Sequence, residues 1–286
     1  MTRSDAPAIY LVTEGAFHAR YLIDLWTRRF HNSPGVCGVA LRADSVTLAE
    51  PATETERVML ETFGPPGGLS LDYTSTVCLG PNLNAACARR WLEDVCAGRT
   101  SFVFVFLDQL LAPWWMSTTG SRVINAHSAV LPFARGMYAI EQLAAQQRPA
   151  VFAQAAGATV HYVDESVDGG PIIRAERFTS PFGYRSIWEV KAYAFMLAYD
   201  LLISVAQKLI HQPQTVPVGV EVPSESLGPR FRAAEFDAST RRLAELGYAA
   251  MKEDTRWRQS DATEEVMRHG VKGNQSRLTN LQSRGK

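Results

Sequence analysis

The 286-residue sequence has no excess charge of either sign, twenty-nine lysines and arginines balancing twenty-nine aspartates and glutamates. No global field therefore draws the chain to nucleic acid or to an anionic membrane. No uninterrupted apolar run approaches the roughly 18 residues of a bilayer-spanning helix, and residues 1–7 are polar. A cytoplasmic location with no membrane partner is the expectation. Only four cysteines occur, Cys37, Cys78, Cys87 and Cys96, with no Cys-x-x-Cys pair and no histidine at zinc-ligand spacing. They read as small buried hydrophobes in a reducing compartment, and no metal is expected. Internal repeats and low-complexity tracts are absent as well.

With 46% hydrophobic and 20% charged residues, the chain can bury one large core, or a core with a smaller annex. Residues 8–12 form a short apolar run, after which Phe17, Tyr21, Leu22, Leu25 and Phe30 recur at helical spacing. A second apolar run covers 36–41, a helical stretch 57–63, and a third run 75–79. Asn84 stands where a helix N-cap belongs, before a helix ending at Gly98. Residues 102–107 are a continuous β-branched and aromatic run without polar alternation, the pattern of a strand buried on both faces. Residues 123–127 read as another strand.

Gly136 opens a short predicted helix over 137–147, strands follow at 159–163 and 172–177, and Ser186 with Glu189 has the spacing of a capping box for a long helix to about His211. This order predicts an α/β fold, an open, mostly parallel Rossmann-like sheet with sites beyond the carboxyl ends of its strands. The expected organisation is a catalytic domain over 1–212, an extended and helical annex over 213–251, and a polar tail over 252–286. The tail has too few apolar residues to offset its ordering entropy unless a partner subunit holds it. A homodimer is thus left open.

The segment 123–136 delivers Asn125 and His127 at the carboxyl end of an apolar strand. Alternation puts both on one face, about 6–7 Å apart along the chain. A lone histidine at a strand end is usually a satisfied structural residue, and Asp168 in Val167-Asp168-Gly169-Gly170-Pro171 reads by itself as turn chemistry. Their combination points elsewhere.

Asn125, His127, Leu131-Pro132, Gly136, Thr159-Val160-His161 and Val167-Asp168-Gly169 with Ile172 occur in the order that marks the folate-dependent formyltransferases. The chain resembles that family, which includes glycinamide ribonucleotide, methionyl-tRNA and sugar-amine formyltransferases, clearly from about 101 to 178 and more faintly from 9 to 98. The resemblance implies 10-formyltetrahydrofolate as donor and Asn125, His127 and Asp168 as catalytic residues. It also implies a folate pocket lined mainly by backbone of two loops, here Leu107, Asp108, Gln109, Leu110 and Leu111, and Val163, Asp164 and Val167. The residue types suit the chemistry, because an amide donor can meet the charge developing on a formyl oxygen while imidazole and carboxylate handle protons. His161, mid-strand, reads as a packing or structurally hydrogen-bonded residue, and Trp114 and Trp115 as core aromatics.

Departures narrow the acceptor. Val12-Thr13-Glu14-Gly15 is a poor phosphate cradle, with one glycine beside a carboxylate, so a purine precursor is disfavoured. Residues 213–286 have too few β-patterned runs for an RNA-binding barrel, so a tRNA substrate is disfavoured too. Ser128 stands where the family usually has proline. A small amine or hydroxylamine remains: an amino acid, a siderophore precursor, an amino sugar or a specialised metabolite. Glu14 or Glu141 are candidates for an acceptor's ammonium, with a solvated carboxylate as the plainer expectation. The alternatives are a 10-formyltetrahydrofolate hydrolase releasing formate, and a non-catalytic folate-binding protein on the same fold.

Overall fold

The computed structural model describes residues 7–45, 49–67 and 76–254. The chain runs through β1 (Ala8–Glu14), α1 (Phe17–Phe30), β2 (Val36–Arg42), α2 (Glu54–Phe63), β3 (Thr76–Cys78), α3 (Ala86–Cys96), β4 (Ser101–Phe106), α4 (Trp114–Thr119) and β5 (Val123–His127). It continues with β6 (Arg135–Gly136), α5 (Ala139–Ala145), α6 (Pro149–Ala155), β7 (Gly157–Tyr162), β8 (Ile172–Arg177), α7 (Ile187–His211), β9 (Arg230–Phe231) and α8 (Ala238–Glu253).

Seven strands form one sheet in the order β3-β2-β1-β4-β5-β7-β8. The pairings from β3 through β5 are parallel, whereas β7 runs antiparallel to both β5 and β8. This is the mostly parallel α/β sheet that the strand and helix order predicts. Every residue of β1 and β4 is buried, which explains why neither alternates in polarity: helices cover both faces of the sheet centre. Of the polar residues of β1, Thr13 is accommodated by donating its hydroxyl to Phe106 O at 3.0 Å.

By length and composition α7 is apolar enough to cross a bilayer, although Glu189, Lys191 and Asp200 interrupt any continuous apolar run. It is instead a core helix, packed on β7, α1 and α2, with Leu202, Ala206 and Leu209 fully buried. Ser186 caps it by accepting from Glu189 N, but the Glu189 carboxylate bonds Arg185 rather than returning to the cap, so half of the predicted box forms. A complete box forms at α2, where Thr53 and Glu56 bond reciprocally.

Three local expectations change. Asn84 does not cap α3, whose N-cap is Ala85; its side chain donates to Leu110 O at 2.9 Å and accepts from Ala112 N at 2.7 Å, pinning the loop after β4. The stretch expected as one helix over 137–147 is α5 alone, and a further helix, α6, follows, because Gln147 turns left-handed at φ 50° and Pro149 starts a new helix. Gly136 lies in a two-residue strand rather than opening a helix.

That strand pairs with β9, and α8 lays Ala244, Gly247, Tyr248 and Met251 toward α5. At Gly247 a Cβ would come within 2.0 Å of Ala144 O, so only glycine lets the two helix backbones approach. α8 extends to Glu253, two residues past the expected end. The expectation for the polar tail otherwise falls on 255–286, outside the described residues.

Candidate active site

At the carboxyl end of β5 the strand's apolar residues, Val123 and Ile124, are fully buried, while Asn125 and His127 are partly exposed toward a cavity. The β5–β7 register sets Asn125 opposite His161 and His127 opposite Thr159. Opposed residues of antiparallel strands share a face, so β7 adds to the same wall. Asn125 Nδ2 lies 3.1 Å from His161 Nε2, and His161 Nδ1 lies 2.8 Å from Tyr162 O. A carbonyl only accepts, so Nδ1 donates to it, and an amide nitrogen only donates, so Nε2 accepts from Asn125. One amide hydrogen is thereby anchored and the other left for a ligand. Thr159 secures the following loop, its hydroxyl accepting from Leu131 N at 2.9 Å and donating to Ala129 O at 3.0 Å.

Asp168 reaches the same spot from the turn after β7, with left-handed backbone at φ 49°. Its Oδ2 accepts from Gly136 N at 2.7 Å and lies 3.6 Å from His127 Nδ1, while Oδ1 is 3.6 Å from His161 Nε2. Asn125, His127 and Asp168 therefore converge. Burial by itself would raise the Asp168 carboxyl, but His127, His161 and the Gly136 N–H together hold it well below the usual carboxylate range. His127 is shifted down: burial disfavours its charge, outweighing the attraction of Asp168. Its Nε2 lies 3.2 Å from Ala134 O and so carries the proton of the neutral ring, leaving Nδ1 bare toward Asp168.

The cluster opens into a cavity of about 710 Å³. All the residues named from the sequence as folate contacts line it, from Leu107 through Leu111 and from Val163, Asp164 and Val167. Three of them use their side chains to shape the loops. Asp108 pairs with Arg42, Gln109 accepts from Leu83 N at 3.0 Å and donates to Asn82 at 2.7 Å, and Asp164 accepts from Ser166 N at 2.9 Å. Trp115 is fully buried with Trp114 stacked on it at 5.2 Å, and neither lines the cavity, as core packing requires.

Glu14 and Glu141 also line the cavity, but neither is a solvated carboxylate, being 7% and 1% exposed. Glu14 accepts from Asp108 N, and burial raises its pKa. Glu141 pairs with Lys191 of α7, Nζ to Oε2 3.3 Å. His18, Lys191 and Phe195 on this wall carry no local sequence signal, since helical spacing reads them as ordinary helix positions.

Residues 99–179 match the family model described as Formyl transferase, which bears out the resemblance over the segment that carries the motifs. No curated protein matches the chain. Among solved structures, the chain is similar to a sugar N-formyltransferase from a Shewanella species, at TM-score 0.52 and 14% identity over 84% of this chain and 87% of that one. A 4-N formyltransferase from Francisella tularensis gives TM-score 0.52 and 15% identity with the same coverage. An N-formyltransferase from Helicobacter canadensis, in complex with folinic acid and dTDP-3-aminofucose, gives 0.53 and 11% over 84% and 79%. At such identities the likeness is one of fold.

Proposed function

We propose that this chain transfers a formyl group from 10-formyltetrahydrofolate to a small amine or hydroxylamine. The observation that carries the reading is the meeting of Asn125, His127 and an ionised Asp168 at one cavity, between two loops whose polar side chains Asp108, Gln109 and Asp164 are engaged within the protein. The family match over 99–179 supports it.

The cavity is of the size that takes a cofactor-sized molecule, roughly 300–1,000 Å³. The loops over 107–111 and 163–167 would hold the donor through backbone groups, Asn84 and Arg135 fixing their carbonyls at Leu110 and Val167. The donor supplies an activated formyl carbon. As the acceptor nitrogen bonds to that carbon, charge develops on the formyl oxygen, and the unanchored Asn125 amide hydrogen meets it. One such donor is typically worth roughly 3–4 kcal/mol. His127 begins neutral and takes the proton shed by the attacking amine at Nδ1. Asp168, ionised and fixed by the Gly136 N–H, stabilises the imidazolium so formed. The same proton then passes to the departing folate nitrogen as its bond to carbon breaks, and the neutral ring is regenerated.

The test is incubation with 10-formyltetrahydrofolate alone and with a panel of amines. Formate released rapidly without amine would replace this reading with the hydrolase.

A further inference from the structure

A second histidine held by a carboxylate stands on the cavity wall. β4 separates β1, which leads into α1 and His18, from β5, which ends in His127. His18 lies in the first turn of α1 and lines the cavity, its side chain 16% exposed. Its Nδ1 is 3.0 Å from Glu56 Oε1, and its backbone N–H donates to the same oxygen at 3.1 Å. The other Glu56 oxygen accepts from Ala52 N, Thr53 N and the Thr53 hydroxyl at 3.0–3.1 Å. Burial would raise this carboxyl, but the His18 ring and the N–H groups of Thr53 and His18 bring it down to about 2. A carboxylate only accepts, so His18 Nδ1 carries a proton. The ring is held further by stacking on Phe195, centroids 4.8 Å apart, and by Phe106 edge-on at 6.0 Å. Nε2 has no hydrogen-bond partner among the described residues and is the ring nitrogen left for a ligand.

The transfer begins with a neutral amine, yet an alkyl amine titrates near the lysine value of about 10.4 and arrives at neutral pH as an ammonium. Two protons therefore leave the nitrogen. One passes through His127 to the departing folate nitrogen, and the other must reach solvent. Water is a poor proton acceptor and hydroxide is scarce at neutral pH, so a base inside the cavity speeds that first loss. We propose that His18, oriented by Glu56, is this base. The inference rests on the transferase reading and adds a catalytic residue and a positioning residue to it. The Nε2 lone pair takes one proton from the ammonium, giving the free amine and an imidazolium that the Glu56 carboxylate stabilises. Nε2–H then yields its proton to water at the open side of the cavity, the neutral ring is restored, and the amine goes on to the formyl carbon.

The other groups on the wall are committed elsewhere. His161 has both ring nitrogens engaged, by Asn125 and Tyr162 O. Glu14, close enough for the His18 charge to act on it, accepts from Asp108 N and lies 3.6 Å from Arg42. Glu54 of α2 pairs with Arg57 at 2.7 Å. On α7, Tyr199 donates to His18 O at 3.2 Å, and Lys191 pairs with Glu141 while its Nζ lies 5.1 Å from the ring centre of Phe195. Arg230, Arg232 and Arg241 line the cavity from β9 and α8, which pack on β6 and α5, and a guanidinium cannot accept a proton.

The test takes the alkyl amine that the panel shows to be turned over best and compares it with its N-hydroxy form, whose much lower basicity leaves it largely neutral at pH 7. His18→Asn keeps a donor for Glu56 and removes the basic nitrogen. At pH 7 its kcat for the alkyl amine is expected to fall about a hundredfold, with kcat for the N-hydroxy form within about twofold of wild type and both KM values little changed. The loss is expected to shrink as the pH is raised toward about 10, where neutral amine and hydroxide take over. Both acceptors are read in one protein preparation, so any loss of folded protein cancels from their ratio. Glu56→Gln, which removes the charge behind the ring, is expected to move that ratio in the same direction by a smaller factor. Equal losses for the two acceptors, a ratio unchanged in either variant, a loss independent of pH, or turnover of N-hydroxy amines and no alkyl amine overturns this inference alone. Absence of formylation with every amine overturns the transferase reading beneath it.

Discussion

Asn125 and His161 sit directly opposite each other on the antiparallel strands β5 and β7, amide nitrogen 3.1 Å from ring nitrogen. The contact holds one amide hydrogen and thereby aims the other. His161 is in this account a positioning residue. His161→Ala is expected to lower kcat about tenfold to a hundredfold, the scale on which misplacement of a catalytic group by about 1 Å is felt. A glutamine at the same place, able to accept the same hydrogen bond, is expected to recover part of the loss. Equal effects of the two substitutions on kcat would contradict the positioning role.

Asn125→Ala removes the donor itself. The expected cost is roughly a hundredfold to a thousandfold in kcat, with donor affinity little changed because the loops over 107–111 and 163–167 are untouched. Comparing kcat with folate binding by fluorescence titration separates the two quantities.

Burial lowers His127 and the reaction needs its neutral ring, so activity is lost as pH falls through a value below the ordinary histidine value of about 6.5. The Asp168 carboxylate opposes that shift. Asp168→Asn is therefore expected to move the acid limb of kcat/KM to still lower pH while reducing its height. Activity lost instead as pH rises through the histidine range would show that the ring works as an imidazolium.

Gly136 couples stability to the site. Its φ of 85° belongs to the left-handed region, a Cβ would come within 2.0 Å of Phe231 O, and its N–H orients Asp168. Gly136→Ala is expected to cost roughly 1–3 kcal/mol from backbone conformation, with the displacement of β9 added to that. A lower Tm together with a lower kcat is the expected pair of readings.

Much of the sheet was legible because its centre is buried on both faces: 102–107 announces itself by continuous apolar character, and 123–127 by the apolar residues that lead into Asn125 and His127. The meeting of Asn125, His127 and Asp168 was legible only through ordered motifs, since each reads as structural by itself. The role of His161 was not, because the cross-strand register that pairs it with Asn125 is a tertiary fact. Asn84 looked like a cap for the same reason: its partners at Leu110 and Ala112 are distant in sequence. Glu14 and Glu141 looked solvated because no local pattern shows that α7 and the loop after β4 close over them. Lys191, one of several polar interruptions in α7, gave no sign that it faces a cavity.

The most direct test of the central claim follows tetrahydrofolate release from 10-formyltetrahydrofolate in single-turnover mixtures with a pool of primary amines. The account predicts amine-dependent release by the wild-type protein, with formyl label recovered on the amine, and near-complete loss in Asp168→Asn and His127→Ala. Undiminished release by either variant would contradict it.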